Sequence, residues 1–111
     1  MDVAIRHDGP AAIVEVQGEV DLYTSPKMRA ALVGLTDARS PAVLVDLSRV
    51  EYMDSSGVAT LVEGLQLTRQ YGAQFKLAGL APAIRDVFRF ARLEKVFDIY
   101  EDTQAALRAL R

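Results

Sequence analysis

Apolar residues recur at two spacings along this chain, and the change of spacing maps its elements. Over positions 3–17, Val3, Ile5, Ala12, Val14 and Val16 alternate with mostly polar neighbours, although Ile13 blurs the second run. Alternation of this kind predicts two half-exposed strands, at 3–7 and 12–17. Asp8-Gly9-Pro10 between them is a turn signal, so the two form a hairpin. Thr24-Ser25-Pro26 then opens a helix, with Ser25 as cap and Pro26 at the first helical position, where a missing N–H costs nothing. Met28, Ala31, Leu32 and Leu35 follow at i, i+3, i+4 and i+7, one apolar stripe.

Residues 42–47 are a continuous apolar run broken only by Asp46, the pattern of a central strand covered on at least one face. Residues 48–53 read as a short connection. A second helix over 56–71 carries Val58, Leu61, Val62 and Leu65 and stops at Gly72. A strand at 75–78 is followed by a helix from Pro82 with Ile84, Val87, Phe88 and Ala91 on its stripe. A short strand at 96–100 and a helix capped near Asp102, with Ala106, Leu107 and Leu110, complete the chain. The order ββαβαβαβα predicts an α/β fold: a mixed sheet of four to five strands with an N-terminal hairpin. Strands added in sequence order with right-handed crossovers place the helices mainly on one face.

The length of 111 residues suits one domain over 1–111. Thirteen basic against fifteen acidic residues, without a basic run, deny nucleic acid its usual electrostatic footprint. The absence of cysteine excludes disulfides, thiol nucleophiles and cysteine metal sites. No apolar run reaches the length of a membrane span, and the N-terminus lacks the regions of a signal peptide, so a cytoplasmic protein without membrane insertion is expected.

Catalytic chemistry finds little support. His7 is the only histidine and reads as a surface residue of an edge strand, far from any serine. The surroundings of Ser55 are not Gly-x-Ser-x-Gly. Zinc ligands and glycine-rich phosphate loops are missing, so no cofactor is expected. A phosphoaspartate site built on Asp46, with Asp21, Asp54 and Lys76, lacks an acidic pair after the first strand, and the hairpin start gives it the wrong topology.

What remains is polar. Asp54-Ser55-Ser56-Gly57 lies where the central strand passes into the second helix. Backbone N–H groups lack partners there, and negative charge is favoured. Either Asp54 or Ser55 caps the helix, a contribution of about 1 kcal/mol. Capping does not account for two hydroxyls beside a glycine that gives up about 1 kcal/mol of helix propensity. Close approach of a partner's backbone or a kinase would make Gly57 useful.

Val43-Leu44-Val45-Asp46-Leu47-Ser48 with Tyr52-Met53-Asp54-Ser55-Ser56-Gly57-Val58 resembles the STAS domain of bacterial anti-sigma factor antagonists. Gly18-Glu19-Val20-Asp21 and Leu77-Ala78-Gly79-Leu80 with Pro82, Val87, Phe88 and Leu93 extend the likeness over nearly the whole chain. The resemblance implies a binding module rather than an enzyme. Its partner would be an anti-sigma factor that is also a serine kinase, whose capture frees a sigma factor and which phosphorylates Ser55. A PP2C-type phosphatase would reverse the mark. Asp21, Asp54, Ser56 and Gly57 would be neighbours of that serine, with Tyr23 and Met53 as interface anchors or packing residues. The alternative within the family is a regulatory subunit of a membrane lipid transporter or a stressosome-type scaffold. Arg85, Arg89 and Arg92 fall on one helix face, first a solvated surface and second a contact for an acidic partner.

Overall fold

The computed structural model describes residues 1–111. Strands β1 (Asp2–Asp8) and β2 (Ala11–Val20) pair antiparallel, with Asp8 opposite Ala11. Gly9 turns between them at φ +56°, a conformation open to glycine at no steric cost. Helix α1 (Ser25–Asp37), strand β3 (Ala42–Met53), helix α2 (Ser55–Gln70) and strand β4 (Gln74–Ala78) follow. Helix α3 (Pro82–Phe90), strand β5 (Asp98–Tyr100) and helix α4 (Thr103–Arg108) complete the chain. The sheet has five strands in the order β1-β2-β3-β4-β5, parallel throughout except for the hairpin. The mixed sheet and its hairpin match the sequence reading.

Helices α1, α2 and α3 share one face. Met28 and Leu32, Val58 and Leu61, Ile84 and Phe88 pack in one core with Val14, Val43, Val45 and Leu77 of the sheet. Helix α4 covers part of the opposite face, where Ala106 meets Ile13, Leu44 and Ala78. That second layer explains Ile13: it breaks the alternation because both faces of β2 are covered there. The expected half-exposure of β2 is therefore wrong, since Ala11 to Val14 are all 0% exposed. Strand β1, one of the two edge strands, is largely solvated.

Further boundaries differ from the sequence reading. Residues 48–53 are no connection but the second half of β3, which runs on beside β2 with register shifts after Glu15 and Gly18. At each shift β3 carries one more residue than its partner, as in a bulge, and this breaks the simple alternation. Ser25 is the first residue of α1 and buried, with Thr24 at the cap position. Helix α2 starts one residue early, at Ser55, and ends at Gln70. Strand β5 keeps only three residues, because Phe97 turns inward to stack edge-on against Phe88 at 5.4 Å. Helix α3 ends at Phe90, and Arg92 follows in a left-handed turn at φ +60°, off the face shared by Arg85 and Arg89.

Candidate functional site

Strands β2 and β3 finish together. Val20 lies opposite Met53, and the Asp54 N–H donates to the Val20 carbonyl at 3.1 Å. The loop from Asp21 and the Asp54-Ser55-Ser56-Gly57 segment therefore leave the sheet side by side, at the start of α2.

Asp21 is half-buried and braces its own loop. Its Oδ1 accepts from the N–H groups of Tyr23 at 2.9 Å and Thr24 at 3.0 Å, and the Thr24 hydroxyl lies 3.1 Å away. The Thr24 N–H, then the Thr24 hydroxyl and the Tyr23 N–H, hold the carboxyl below the usual aspartate range against the opposing effect of desolvation. The brace turns Leu22 and Tyr23 outward, and Tyr23 is 89% exposed.

Asp54 caps α2. Its backbone is extended, its Oδ1 accepts from the Ser56 N–H at 2.9 Å, and its carbonyl accepts from the Gly57 and Val58 N–H groups. The choice between Asp54 and Ser55 as cap is thereby decided for Asp54. Ser55, the first helical residue, is exposed. Ser56 is half-buried, and its carbonyl accepts from the Thr60 hydroxyl at 3.0 Å.

Two sequence-derived site residues face inward. Met53 is 2% exposed and belongs to the core, so it is no interface anchor. Gly57 is buried too: a Cβ there would sit 2.7 Å from Met53 Cγ and 2.8 Å from Val20 Cγ1. Its missing side chain serves the packing of α2 onto the strand ends, not the approach of a partner.

The other chemistries separate. His7 pairs with Ala12, which is opposite Val43, so it lies at the end of the sheet away from Ser55. Lys76 is buried and bonds to Asp98 at 2.5 Å and Tyr100 at 3.2 Å rather than approaching Asp46. Asp46 accepts from the Ser48 N–H, and no three acidic or imidazole side chains gather to hold a metal. Arg85 pairs with Glu94 at 3.6 Å and Arg89 pairs with Asp86.

Sequence reasoning missed an apolar groove between α2 and α3. Ser55 stands at its rim, and Phe90 beside it is 81% exposed. The signal was present: Phe90 is an aromatic residue off the stripe of Ile84, Val87 and Phe88, two positions after Phe88 and so turned away from it.

Residues 3–101 match the family described as "Mlab, STAS domain". An anti-sigma-B factor antagonist of Listeria monocytogenes is 32% identical over 84 residues, spanning 76% of this chain and 74% of the relative. The crystal structure of an anti-sigma factor antagonist from Mycobacterium paratuberculosis is similar at a TM-score of 0.92 and 27% identity, over 99% of this chain and 93% of that one. The phosphorylated form of the Bacillus cell fate determinant SpoIIAA shares the fold, with a TM-score of 0.76 and 19% identity over 98% of this chain and all of that one. These relatives are named for regulation, not for a reaction.

Proposed function

The chain belongs to the STAS-domain family, and from that premise we propose that it is an anti-sigma factor antagonist switched by phosphorylation of Ser55. The unmodified protein captures an anti-sigma factor in the cytoplasm and so frees a sigma factor. The captured protein is a serine kinase that phosphorylates Ser55, which releases it, and a PP2C-type phosphatase restores the binding form. The names of the relatives support the regulatory role, and the existence of a phosphorylated SpoIIAA form with this fold is consistent with modification of such a domain.

The observation that carries the reading is the division of labour at the start of α2. Asp54 caps the helix, so the exposed Ser55 hydroxyl is free for modification without loss of the cap. A phosphoryl group adds about −1.5 to −2 charge at neutral pH. The positive end of α2 favours that charge, so the fold tolerates it. A docked partner does not: its surface would bury a dianion beside Asp21 and Asp54. Reversing occupancy from nearly full to nearly empty needs about 5.5 kcal/mol of differential affinity. Desolvating an unpaired dianion is a cost of that scale.

Incubation with ATP and candidate anti-sigma kinases, followed by mass spectrometry of the product, tests this directly. Phosphate on Ser55 alone is expected; phosphate on another residue, with Ser55 unmodified, overturns the assignment.

A further inference from the structure

The sheet ends in two unequal edges. Strand β5 offers three residues, whereas β1 offers seven, paired with β2 at every position without a register shift. No strand lies on its outer side, and it contains neither proline, lysine nor bulge to blunt it against pairing. Asp8 and Ala11 face one another across the two-residue turn Gly9-Pro10, the position where two residues exchange both backbone bonds. Alternation from there turns the backbone groups of Arg6, Ala4 and Asp2 to β2 and those of His7, Ile5 and Val3 outward. A regular row of unpaired donors and acceptors is a template for another strand.

The side chains of β1 select which strand fits. Ile5 is 43% exposed, and Val3 on the same face is partly buried against the core, so the edge keeps apolar surface for a neighbour to cover. Charge selects the register. With β1 of a second copy antiparallel and Ala4 opposite Ala4, Val3 falls opposite Ile5 and Asp2 opposite Arg6, each twice by symmetry. Val3 and Ile5 both turn their backbone groups outward, so the ladder closes in this register. Centring the pair on Ile5 instead sets Asp2 against Asp8 twice, and centring it on Arg6 opposes two guanidinium groups. Asp2 has no ion-pair partner within the chain, and Arg6, which meets Glu15 at 3.4 Å, keeps 45% of its side chain exposed.

We propose that β1 pairs with β1 of a second copy of this chain, antiparallel about Ala4, so that two five-stranded sheets join into one. The two-fold axis runs normal to the joined sheet and leaves the main helical layers of both copies on the same side. A contact of five residues per strand is smaller than the ~1,600 Å² of a standard stable interface, so the dimer is weak and forms with concentration. Strand β3, from whose end Ser55 follows, is two strands in from this edge. Both Ser55 hydroxyls of the dimer therefore stay open, and the pairing stands or falls apart from the reading of Ser55.

The test is sedimentation equilibrium of the whole protein and two charge variants, with melting temperatures recorded to confirm that each variant folds. Arg6→Asp sets two pairs of carboxylates against one another across the two-fold axis, and Asp2→Arg sets two pairs of guanidinium groups. The parent should dimerise reversibly below about 1 mM. Each variant alone should dimerise at least tenfold more weakly, whereas an equimolar mixture of the two restores both opposite-charge pairs and should dimerise within about threefold of the parent. A parent that stays monomeric to that concentration overturns the proposal. So does a dimer that either variant alone retains, which places the contact on another surface. A mixture no better paired than its components overturns the register and with it the proposal.

Discussion

The amide of Asp54 and the carbonyl of Val20 are bonded at 3.1 Å, which locks the residue that follows β3 to the last residue of β2. This bond sets Asp21 beside Asp54 although 32 residues separate them in sequence. It also fixes the point from which α2 departs, and with it the place of Ser55. A rigid strand pair thus presents one exposed hydroxyl, and the helix cap belongs to its neighbour.

Removing that cap should weaken the fold without touching Ser55. Asp54→Ala leaves the Ser56 N–H without its acceptor and should cost about 1 kcal/mol, read as a lower midpoint in urea unfolding. Asp54→Asn, which keeps an acceptor oxygen, should recover most of the loss. Equal losses in the two variants would contradict the cap.

Gly57→Ala improves helix propensity yet should destabilise the protein. The added methyl meets Met53 and Val20 at less than 3 Å in a filled core. Overpacking of this kind costs about 1–3 kcal/mol, more than the ~1 kcal/mol that alanine gains in propensity. Thermal unfolding of the purified variant decides, and a higher melting temperature would refute the packing role.

Acid should loosen the Asp21 loop. Thr24 and Tyr23 hold the folded carboxyl below its ordinary value, so the contribution is complete above the unfolded pKa of about 3.9. It disappears as pH falls through the lower folded value. Glu63, held down by its two-pronged pairing with Arg29 at 2.7 and 2.9 Å, acts in the same direction. Asp21→Asn should therefore flatten the acid limb of the stability curve, and an unchanged limb would exclude the brace.

Lys76 and Asp98 should respond unequally. The Lys76 side chain is 4% exposed and that of Asp98 52%. Desolvation opposes the ammonium, but its bonds to Asp98 and Tyr100 outweigh it and raise the lysine above its ordinary pKa. Asp98→Ala strands a buried cation and should cost about 1–3 kcal/mol. Lys76→Met leaves only a half-exposed carboxylate and should cost less. Because the lysine is raised, the stabilisation holds below its unfolded pKa of about 10.4 and fades as pH climbs through the folded value.

The stripes of α1, α2 and α3 were legible because each buries one face against one sheet, and 3.6-residue spacing records this. The hairpin was legible in Asp8-Gly9-Pro10. The second half of β3 was not, because its two register shifts destroy the alternation that marks a strand. Nor was the burial of β2, which depends on α4, an element more than 80 residues away. At the site, Ser55 is exposed, Met53 proves to be a packing residue rather than an anchor, and Gly57, read as a place of close approach, is core. Small and flexible residues next to a polar cluster carry no mark of which way they face. Phe90 was visible as an aromatic residue off its helix's stripe, and only the neighbouring helix turns that oddity into a groove.

The most direct measurement compares Ser55→Ala and Ser55→Asp for affinity to the proposed anti-sigma kinase partner, with the melting temperature of each recorded alongside. Ser55→Ala should bind like the unmodified protein. Ser55→Asp should bind at least about a hundredfold more weakly, ~2.8 kcal/mol, while melting within about 2 °C of the parent. Equal affinities, or a weaker affinity accompanied by a collapse of the melting temperature, would contradict a switch that changes docking and spares the fold.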